Sequence, residues 1–494
     1  MMSKGALSTD VQKKDGIIDI HGVRTGIPIT KRFVFSVVAA ALSLLLISFL
    51  PLEQYGETTA LALGFLVSML ILLVFCPINI AVSSIIIAVV GIFLGFWDWK
   101  GVGATFGSSA FLSILGMLIV AMGCEFTPFG KRLAYTVLNK FGNSYTGMIL
   151  VMAIVSAILS SFVSTVAIII MMSSIAAELL SAMHQTPGES KFGRALMLVV
   201  PMASIVDGIV LINGSPTGNY LAIQFLTNST GGEYTVSYTQ WAICGISCFL
   251  VTIIPICFVY IKNFKLNKSD IPSLPDNYYK ILLDGLGPIG GSEIRWMIIV
   301  AAMIASMLLG MNTGTASLLF AIISMMPGIG TVPADQVFKK LPVHVMISSG
   351  LVPLLAKLFS ETGLDTFMGS WISLLISNPG PLGLSIISAM TMGILVNVFV
   401  NANVAVSALV IGIFGPVCVN MGYNPVVVMM PSMFIASFFF IVGSHNIMLL
   451  NKGYGYWEMK DPILPGIIAV VFSAIAFPIV CYLVCPIFGI SAYI

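Results

Sequence analysis

Long apolar runs recur along almost the whole chain, and no other feature constrains its fold as strongly. A helix needs about 20 consecutive apolar residues to cross the hydrocarbon core of a bilayer. Windows near that length lie at 33–51, 58–76, 79–97, 106–124, 194–226, 240–261, 295–311, 315–330, 341–359, 424–450 and 463–487. Charged residues are only 9% of the 494, whereas soluble domains carry roughly a quarter. The sequence therefore predicts an all-α polytopic membrane protein surrounded by the lipid bilayer, with no nucleic-acid partner.

Two longer apolar blocks, 146–183 and 381–422, carry polar residues at their centres and are about twice as long as a span. Each block could be two full spans or one re-entrant hairpin. Both possibilities return the chain to the side from which it came. Treated as hairpins, the blocks give a fold of about 11 transmembrane helices plus two re-entrant hairpins.

The basic residues predict the orientation of the chain in the membrane. Lysine and arginine in short loops favour the cytoplasmic side. With the N-terminus in the cytoplasm, all of the 22 lysines and arginines except Lys100 and Lys357 fall in cytoplasmic segments. The first 30 residues contain no apolar segment ahead of a small-residue cleavage site, so we expect no cleavable signal peptide. We expect a multi-pass protein of the cell membrane, inner or plasma, with its N-terminus in the cytoplasm.

After the first span, the chain reads as two halves with the same order of elements. Each half has three spans, a short amphipathic stretch, a hairpin block, an interrupted span and a last span. An odd number of crossings per half requires the second half to be inverted, and inverted repeats with interrupted helices are typical of secondary transporters. The predicted segments are a cytoplasmic N-terminal segment (1–32), the first span and its loop (33–57), repeat 1 (58–261), a cytoplasmic linker (262–294), repeat 2 (295–487) and an extracytoplasmic C-terminus (488–494).

The amphipathic stretches fit this plan. In the first half, Phe129, Leu133, Val137 and Phe141 repeat every four residues. This spacing predicts a helix lying along the cytoplasmic interface. Its counterpart at 364–376 has the same apolar spacing without basic residues, which favours the outer face.

Polar residues interrupt the apolar pattern at four places, in two corresponding pairs. They are Ser160, Ser161, Ser164 and Thr165 in the first block, Asn397, Asn401 and Asn403 in the second, "NGSPTGN" at 213–219 in the fifth span and "GSHN" at 443–446 in the tenth. A broken helix exposes N–H groups that attract a carboxylate and carbonyl groups that attract a cation. The alternative is that these side chains only pack helices together. Four interruptions in symmetric pairs favour a hydrated binding site.

At these residues the chain resembles the divalent anion/sodium symporter family of dicarboxylate, citrate and sulfate carriers, within the ion transporter superfamily. The similarity extends over nearly the whole chain after residue 33 and includes "ETGLD" at the end of a third span. The resemblance implies a homodimer with an elevator-type transport domain, and a binding site at two hairpin tips and two broken-helix loops. By position, the tips are Ser164, Thr165 and Val166, and Asn401, Ala402 and Asn403; the loops are Ser215, Pro216 and Thr217, and Gly443, Ser444 and His445.

These patterns together predict a secondary transporter of small organic anions, di- or tricarboxylate-like, that works by symport or exchange. The candidate substrate-binding residues are Ser164, Thr165, Ser215, Pro216, Thr217, Asn219, Asn401, Asn403, Ser444, His445 and Asn446. The candidates for coupling to a cation are Ser160, Asp207, Gly214, Asn397, Ala402 and Gly443. We expect no cofactor and no metal beyond possible sodium, while sodium coupling, proton coupling and exchange all stay open.

Two other functions are alternatives. A cation/proton antiporter of the same superfamily would use Asp207, since an acid inside a span is a functional candidate by default. His445 could likewise bind an anion or titrate near neutral pH. A membrane enzyme would need clustered catalytic or metal-binding groups, but the four histidines are scattered at 21, 184, 344 and 445. We therefore expect that the protein is not an enzyme.

Overall fold

A computed structural model provides the coordinates of the chain. It describes residues 19–20, 23–24 and 30–494 except 77, 143, 163–164, 267–273, 276, 376–378, 400–402, 440, 444 and 446. It does not describe the side chains of 19–20, 23–24, 207, 360 and 371–375. Nearly all described secondary structure is helical, as predicted. Two short antiparallel strands, β1 (Asp19–Ile20) and β2 (Val23–Arg24), precede the helices.

One helix precedes the two halves and another connects them. These are α1 (Lys31–Ile47) and α12 (Tyr278–Gly285). The first half contains α2 (Thr59–Phe75), α3 (Ile80–Phe93), α4 (Trp99–Phe106), α5 (Ser109–Glu125), α6 (Phe129–Phe141), α7 (Tyr145–Ser160), α8 (Thr165–Ala182), α9 (Lys191–Asp207), α10 (Pro216–Ser229) and α11 (Tyr238–Asn263). A single 3₁₀ turn, Ile212–Gly214, lies between α9 and α10.

The remaining helices belong to the second half. It contains α13 (Gly291–Leu308), α14 (Thr313–Met325), α15 (Ala334–Lys340), α16 (Val343–Leu351), α17 (Leu354–Glu361), α18 (Leu364–Leu375), α19 (Gly380–Val398), α20 (Asn403–Asn420), α21 (Pro425–Ile435) and α22 (Ile463–Val484). Two 3₁₀ segments, Met448–Tyr454 and Cys485–Phe488, follow α21 and α22.

Several predicted spans are shorter helices than their apolar windows. Among the described residues, 7 helices are long and apolar enough to cross a membrane, or 8 if one bent pair forms a single span. The apolar windows at 58–76, 79–97 and 315–330 contain helices of 17, 14 and 13 residues.

The bent pair lies at the predicted ninth span, where α15 and α16 meet at 66°. Pro342 stands at that bend, and proline cannot supply the N–H that would continue a helix. The count of about 11 spans stays a prediction.

The amphipathic stretch of the first half is confirmed as a helix. Helix α6 begins at Phe129 and ends at Phe141, the two ends of the predicted apolar stripe. The Arg132 side chain extends from this helix to the second half. Its Nε lies 2.9 Å from Oε1 of Glu293, in the first turn of α13. The counterpart α18 begins at Leu364. This charged pair joins the two halves.

The relative directions of helices can be read from their contacts. Cys244 Sγ of α11 lies 3.5 Å from Cys485 Sγ, and Cys248 Sγ lies 3.9 Å from Cys481 Sγ of α22. Residue numbers rise from 244 to 248 along α11 while those of the partner residues fall from 485 to 481. The last helices of the two halves therefore run antiparallel. This is the relation that inverted halves require.

Candidate functional site

The end of the first hairpin contacts the break between α9 and α10. Ser160, the last residue of α7 and fully buried, donates a hydrogen bond from Oγ to the Ser204 carbonyl at 2.8 Å. Its Oγ also lies 3.2 Å from Thr165 Oγ1, at the start of α8. Thr165 Oγ1 in turn donates to the Gly214 carbonyl at 3.4 Å. Two hydroxyl groups and two backbone carbonyls of the first half therefore meet at the predicted first tip.

Asn219 forms hydrogen bonds with the backbone of the break between α9 and α10. Helix α9 ends at Asp207, and α10 begins at Pro216, a position where proline's missing N–H costs nothing. Asn219 Nδ2 donates to the carbonyls of Gly208 at 2.6 Å, Leu211 at 3.3 Å and Ile212 at 3.3 Å. Its amide nitrogen therefore supports the loop, while Oδ1 has no hydrogen-bond partner among the described residues.

Asn213 was not predicted as a binding or coupling residue, although it lies in the polar segment 213–219. Its side chain is only 5% exposed. Neither Oδ1 nor Nδ2 has a hydrogen-bond partner among the described residues. A buried amide without partners costs about 1–3 kcal/mol, so a bound ion, anion or water would stabilise it.

The second hairpin contacts the second interrupted span through Asn397. This residue, near the end of α19, donates from Nδ2 to the carbonyls of Gly393 at 2.9 Å and Phe438 at 2.7 Å. Its Oδ1 accepts the N–H of Ile441 at 3.0 Å. The amide therefore has a structural role between the hairpin and the segment after α21, and its role in cation coupling stays a prediction.

The segment after α21 differs from the break in the first half, because it ends in the 3₁₀ segment Met448–Tyr454. His445 lies there, 5% exposed, and its ring stacks on Phe439 with centroids 3.8 Å apart. Its Nδ1 accepts the N–H of Ile447 at 3.2 Å. Gly443 packs so closely that a Cβ would lie 2.9 Å from the Trp457 ring.

Helix α10 of the first half packs against α20 of the second half. Asn403, the first residue of α20, lines a gap of about 10 Å³ together with Gly218, Ser407 and Ser437. This volume is roughly what one water-sized species needs. Asn403, one residue of the second predicted tip, therefore lies beside Gly218 in the first turn of α10. The sequence had not singled out Ser407 or Ser437, because isolated serines in apolar helices carry no distinguishing pattern.

Several predicted site positions lie outside the described residues. These are Ser164, Asn401, Ala402, Ser444 and Asn446, together with the side chain of Asp207. The structure thus brings Ser160, Thr165 and Gly214 together in the first half. It separately brings Asn403 to the N-terminal end of α10.

A larger cavity flanks the first tip. It measures about 850 Å³ and lies between α8, including Val166, and the end of α5. Glu125 and Lys131 line it, and Glu125 Oε2 is paired with Lys340 Nζ at 3.0 Å. The cavity extends from the beginning of α8 toward the end of the molecule that carries the basic helix α6.

Apolar helices long enough to cross a membrane, together with helices that end at polar breaks, are typical of a multi-pass membrane transport protein. The sequence profile of the citrate transporter family, CitMHS, matches residues 70–411. The chain belongs to this family, and it is therefore a secondary transporter of carboxylate anions. Family membership also confirms that it is not an enzyme.

Individual relatives extend the match to most of the chain. The sodium-dependent dicarboxylate transporter SdcS of Staphylococcus saprophyticus is 24% identical over 493 residues, which cover 88% of this chain and 93% of the relative. SdcS of Staphylococcus aureus is 24% identical over 487 residues, covering 87% and 92%. These matches confirm the predicted resemblance to the divalent anion/sodium symporters.

A solved structure supports the same fold. Neisseria gonorrhoeae MtrF, described with a class of antimetabolite efflux pumps, superposes with a TM-score of 0.55 over 93% of this chain and 95% of its own. At 12% identity this likeness concerns the fold alone.

Proposed function

We propose that this chain moves a di- or tricarboxylate across the cell membrane, with the anion held where the two halves meet. One observation carries the proposal. Each hairpin is hydrogen-bonded to the interrupted span of its own half, through Thr165 and Gly214 in the first and through Asn397 and Phe438 in the second. Asn403 then stands beside the N-terminal end of α10, where unpaired N–H groups and the helix dipole favour a carboxylate.

Sodium is the proposed coupling ion. Hydroxyl and carbonyl oxygens converge at Ser160, Thr165 and Gly214, and unwound carbonyls beside half-helices are typical sodium ligands in transporters. The SdcS relatives are described as sodium-dependent dicarboxylate transporters. Both points favour a sodium-coupled anion carrier over the cation/proton antiporter that depends on Asp207.

We further propose an elevator-type motion of a homodimer, with a cytoplasmic N-terminus. The antiparallel contact of α11 and α22 supports inverted halves at 58–261 and 295–487. In this arrangement α6 lies on the cytoplasmic surface, and the cavity of about 850 Å³ is the cytoplasmic access to the first tip.

Transport by the purified protein in proteoliposomes tests the proposal. Uptake of radiolabelled citrate and succinate is measured with an inward sodium gradient, with potassium replacing sodium, and with a pH gradient alone. We expect accumulation of at least one of these anions only with sodium, and its loss when a sodium ionophore is added. Accumulation driven by pH alone would contradict sodium coupling. Absence of both uptake and counterflow for either anion would contradict the proposed substrate class.

A further inference from the structure

A proline inside α9 leaves one backbone carbonyl of that helix without its usual partner. In a regular helix the N–H of residue 201 would donate to the carbonyl of residue 197, but Pro201 has no N–H. Met197 and Pro201 are both buried. Because a buried carbonyl without a donor is costly, another group has to supply the missing hydrogen bond.

Asn451 of the second half supplies that bond. Its Nδ2 donates to the Met197 carbonyl at 2.6 Å, and its side chain is fully buried. Asn451 lies in the 3₁₀ segment Met448–Tyr454, 254 residues further along the chain than Met197. The hydrogen bonding of α9 is therefore completed by a side chain from the other half.

Trp457 fixes the orientation of the Asn451 amide. Its Nε1 donates to Asn451 Oδ1 at 3.0 Å. An indole N–H can only donate, so Oδ1 must face it and Nδ2 is directed to Met197. Each polar atom of this buried amide therefore has a defined partner. Alanine at position 451 would leave both the Met197 carbonyl and the indole N–H without that partner.

The segment that carries Asn451 also contacts the second interrupted span. The Leu449 N–H donates to the His445 carbonyl at 3.0 Å. On the other side of Asn451, the Trp457 ring packs against Gly443. Continuous contacts therefore run from the interruption in the second half, through Asn451, to the middle of α9.

The C-terminal turn of α9 contacts the first hairpin. Ser204, one helical turn after Pro201, presents the carbonyl that accepts the hydrogen bond from Ser160 Oγ at 2.8 Å. Ser160 Oγ in turn lies 3.2 Å from Thr165 Oγ1. A proline inside a helix bends it by displacing the carbonyl four residues earlier. The path of this last turn therefore depends on how the Met197 carbonyl is held.

We propose that Asn451 is a positioning residue for the first hairpin tip. It replaces the backbone hydrogen bond that Pro201 removes, and it thereby fixes from the second half where α9 presents the Ser204 carbonyl to Ser160. Asn451 acts through α9 and does not contact the transported ion. The inference rests on the proposed function, in which the first tip belongs to the transport site.

Hydrogen exchange of the purified full-length protein tests this contact without transport. In Asn451→Ala, we expect the amides of 202–207 and 158–162 to exchange about tenfold faster, because loss of a buried hydrogen bond makes local opening easier by about that factor. Tyr456→Phe is the matched control, since it removes another buried hydrogen bond to the first half, from the Tyr456 hydroxyl to the Gln185 carbonyl at 3.0 Å. Unchanged exchange in Asn451→Ala, or an equal rise at these amides in Tyr456→Phe, would overturn the proposal.

A second substitution separates positioning from stabilisation alone. Asn451→Ala should lower the melting temperature and raise the KM for citrate or succinate about fivefold, with a smaller change in maximal rate. Adding Pro201→Ala restores an N–H that can bond to the Met197 carbonyl. The melting temperature should then recover, whereas the KM should stay raised because α9 follows the path of a regular helix. Recovery of both together would show that Asn451 only stabilises the fold and would overturn the proposal.

The two measurements also separate this inference from the proposed function. If the wild-type protein carries neither anion, the proposed substrate class fails. Exchange at 202–207 and 158–162 still decides whether Asn451 positions the first tip, since that measurement requires no transport. Tyr456→Phe should keep the wild-type KM, because its hydrogen bond lies at the end of the first hairpin block and not beside Pro201.

Discussion

The two halves stabilise their interrupted spans with different chemistry. In the first half, hydroxyl groups of Ser160 and Thr165 contact carbonyls, and a regular helix of 14 residues, α10, follows the break. In the second half, the amide of Asn397 makes the equivalent contacts, and a 3₁₀ segment of 7 residues follows. The same topology therefore tolerates different side chains, provided that the freed backbone groups find partners.

This difference has a consequence for binding. A regular helix aligns its peptide dipoles, whereas a short 3₁₀ segment has fewer peptides and poorer hydrogen-bond geometry. The N-terminal end of α10 is therefore the stronger place for a carboxylate, and Asn403 reaches it from the other half. The halves would then contribute unequally, with the dipole supplied by the first and an amide by the second.

The largest expected effect comes from removing the amide of the second half. Asn397→Ala leaves the Phe438 carbonyl and the Ile441 N–H without this partner, which should destabilise the protein by about 2 kcal/mol. We expect a lower melting temperature in detergent and loss of citrate or succinate uptake. Asn420→Ala, which removes an exposed amide from the same hairpin, is the control. A wild-type melting temperature for Asn397→Ala would show that the second half does not depend on this residue.

The corresponding change in the first half should be smaller and should affect function more than stability. Thr165→Val keeps the shape of the side chain but removes the hydroxyl that contacts Ser160 and the Gly214 carbonyl. We expect uptake to need about fivefold more sodium, which corresponds to about 1 kcal/mol, with little change in melting temperature. Thr165→Ser should restore the wild-type sodium dependence. If serine fails to restore it, the hydroxyl is not the contributing group.

The smallest effect is expected at the contact between the halves. In Gly218→Ala, the new Cβ would lie 3.6 Å from Ser437 Oγ and 2.9 Å from the adjustable Ser215 Oγ. Alanine favours a helix over glycine by about 1 kcal/mol, so the melting temperature should hold or rise while the KM for the anion increases severalfold. An unchanged KM would indicate that the gap beside Asn403 does not lie next to the anion.

Local patterns in the sequence predicted several elements because their signals are local. The four-residue spacing of Phe129 to Phe141 predicted α6 with both of its ends. The proline and glycines at 213–219 predicted the break before Pro216, since these residues interrupt helices wherever they stand. The window at 341–359 was less successful, because hydropathy does not report the bend at Pro342.

Local sequence patterns predicted only part of the candidate site. Asn397 and Asn403 look alike in the sequence, yet one is fully engaged by Gly393, Phe438 and Ile441 while the other faces a gap between the halves.

By itself, the sequence determined a helical membrane protein whose apolar segments carry polar breaks, because hydropathy and helix interruption depend on neighbours a few residues away. The tertiary structure alone decided which polar groups bond to the backbone and which face an open space. Those partners come from helices distant in the sequence, as with Asn397 and Phe438 or Asn403 and Gly218. A period of 3.6 residues indicates which side chains share a helix face, but the packing of another helix decides what that face meets.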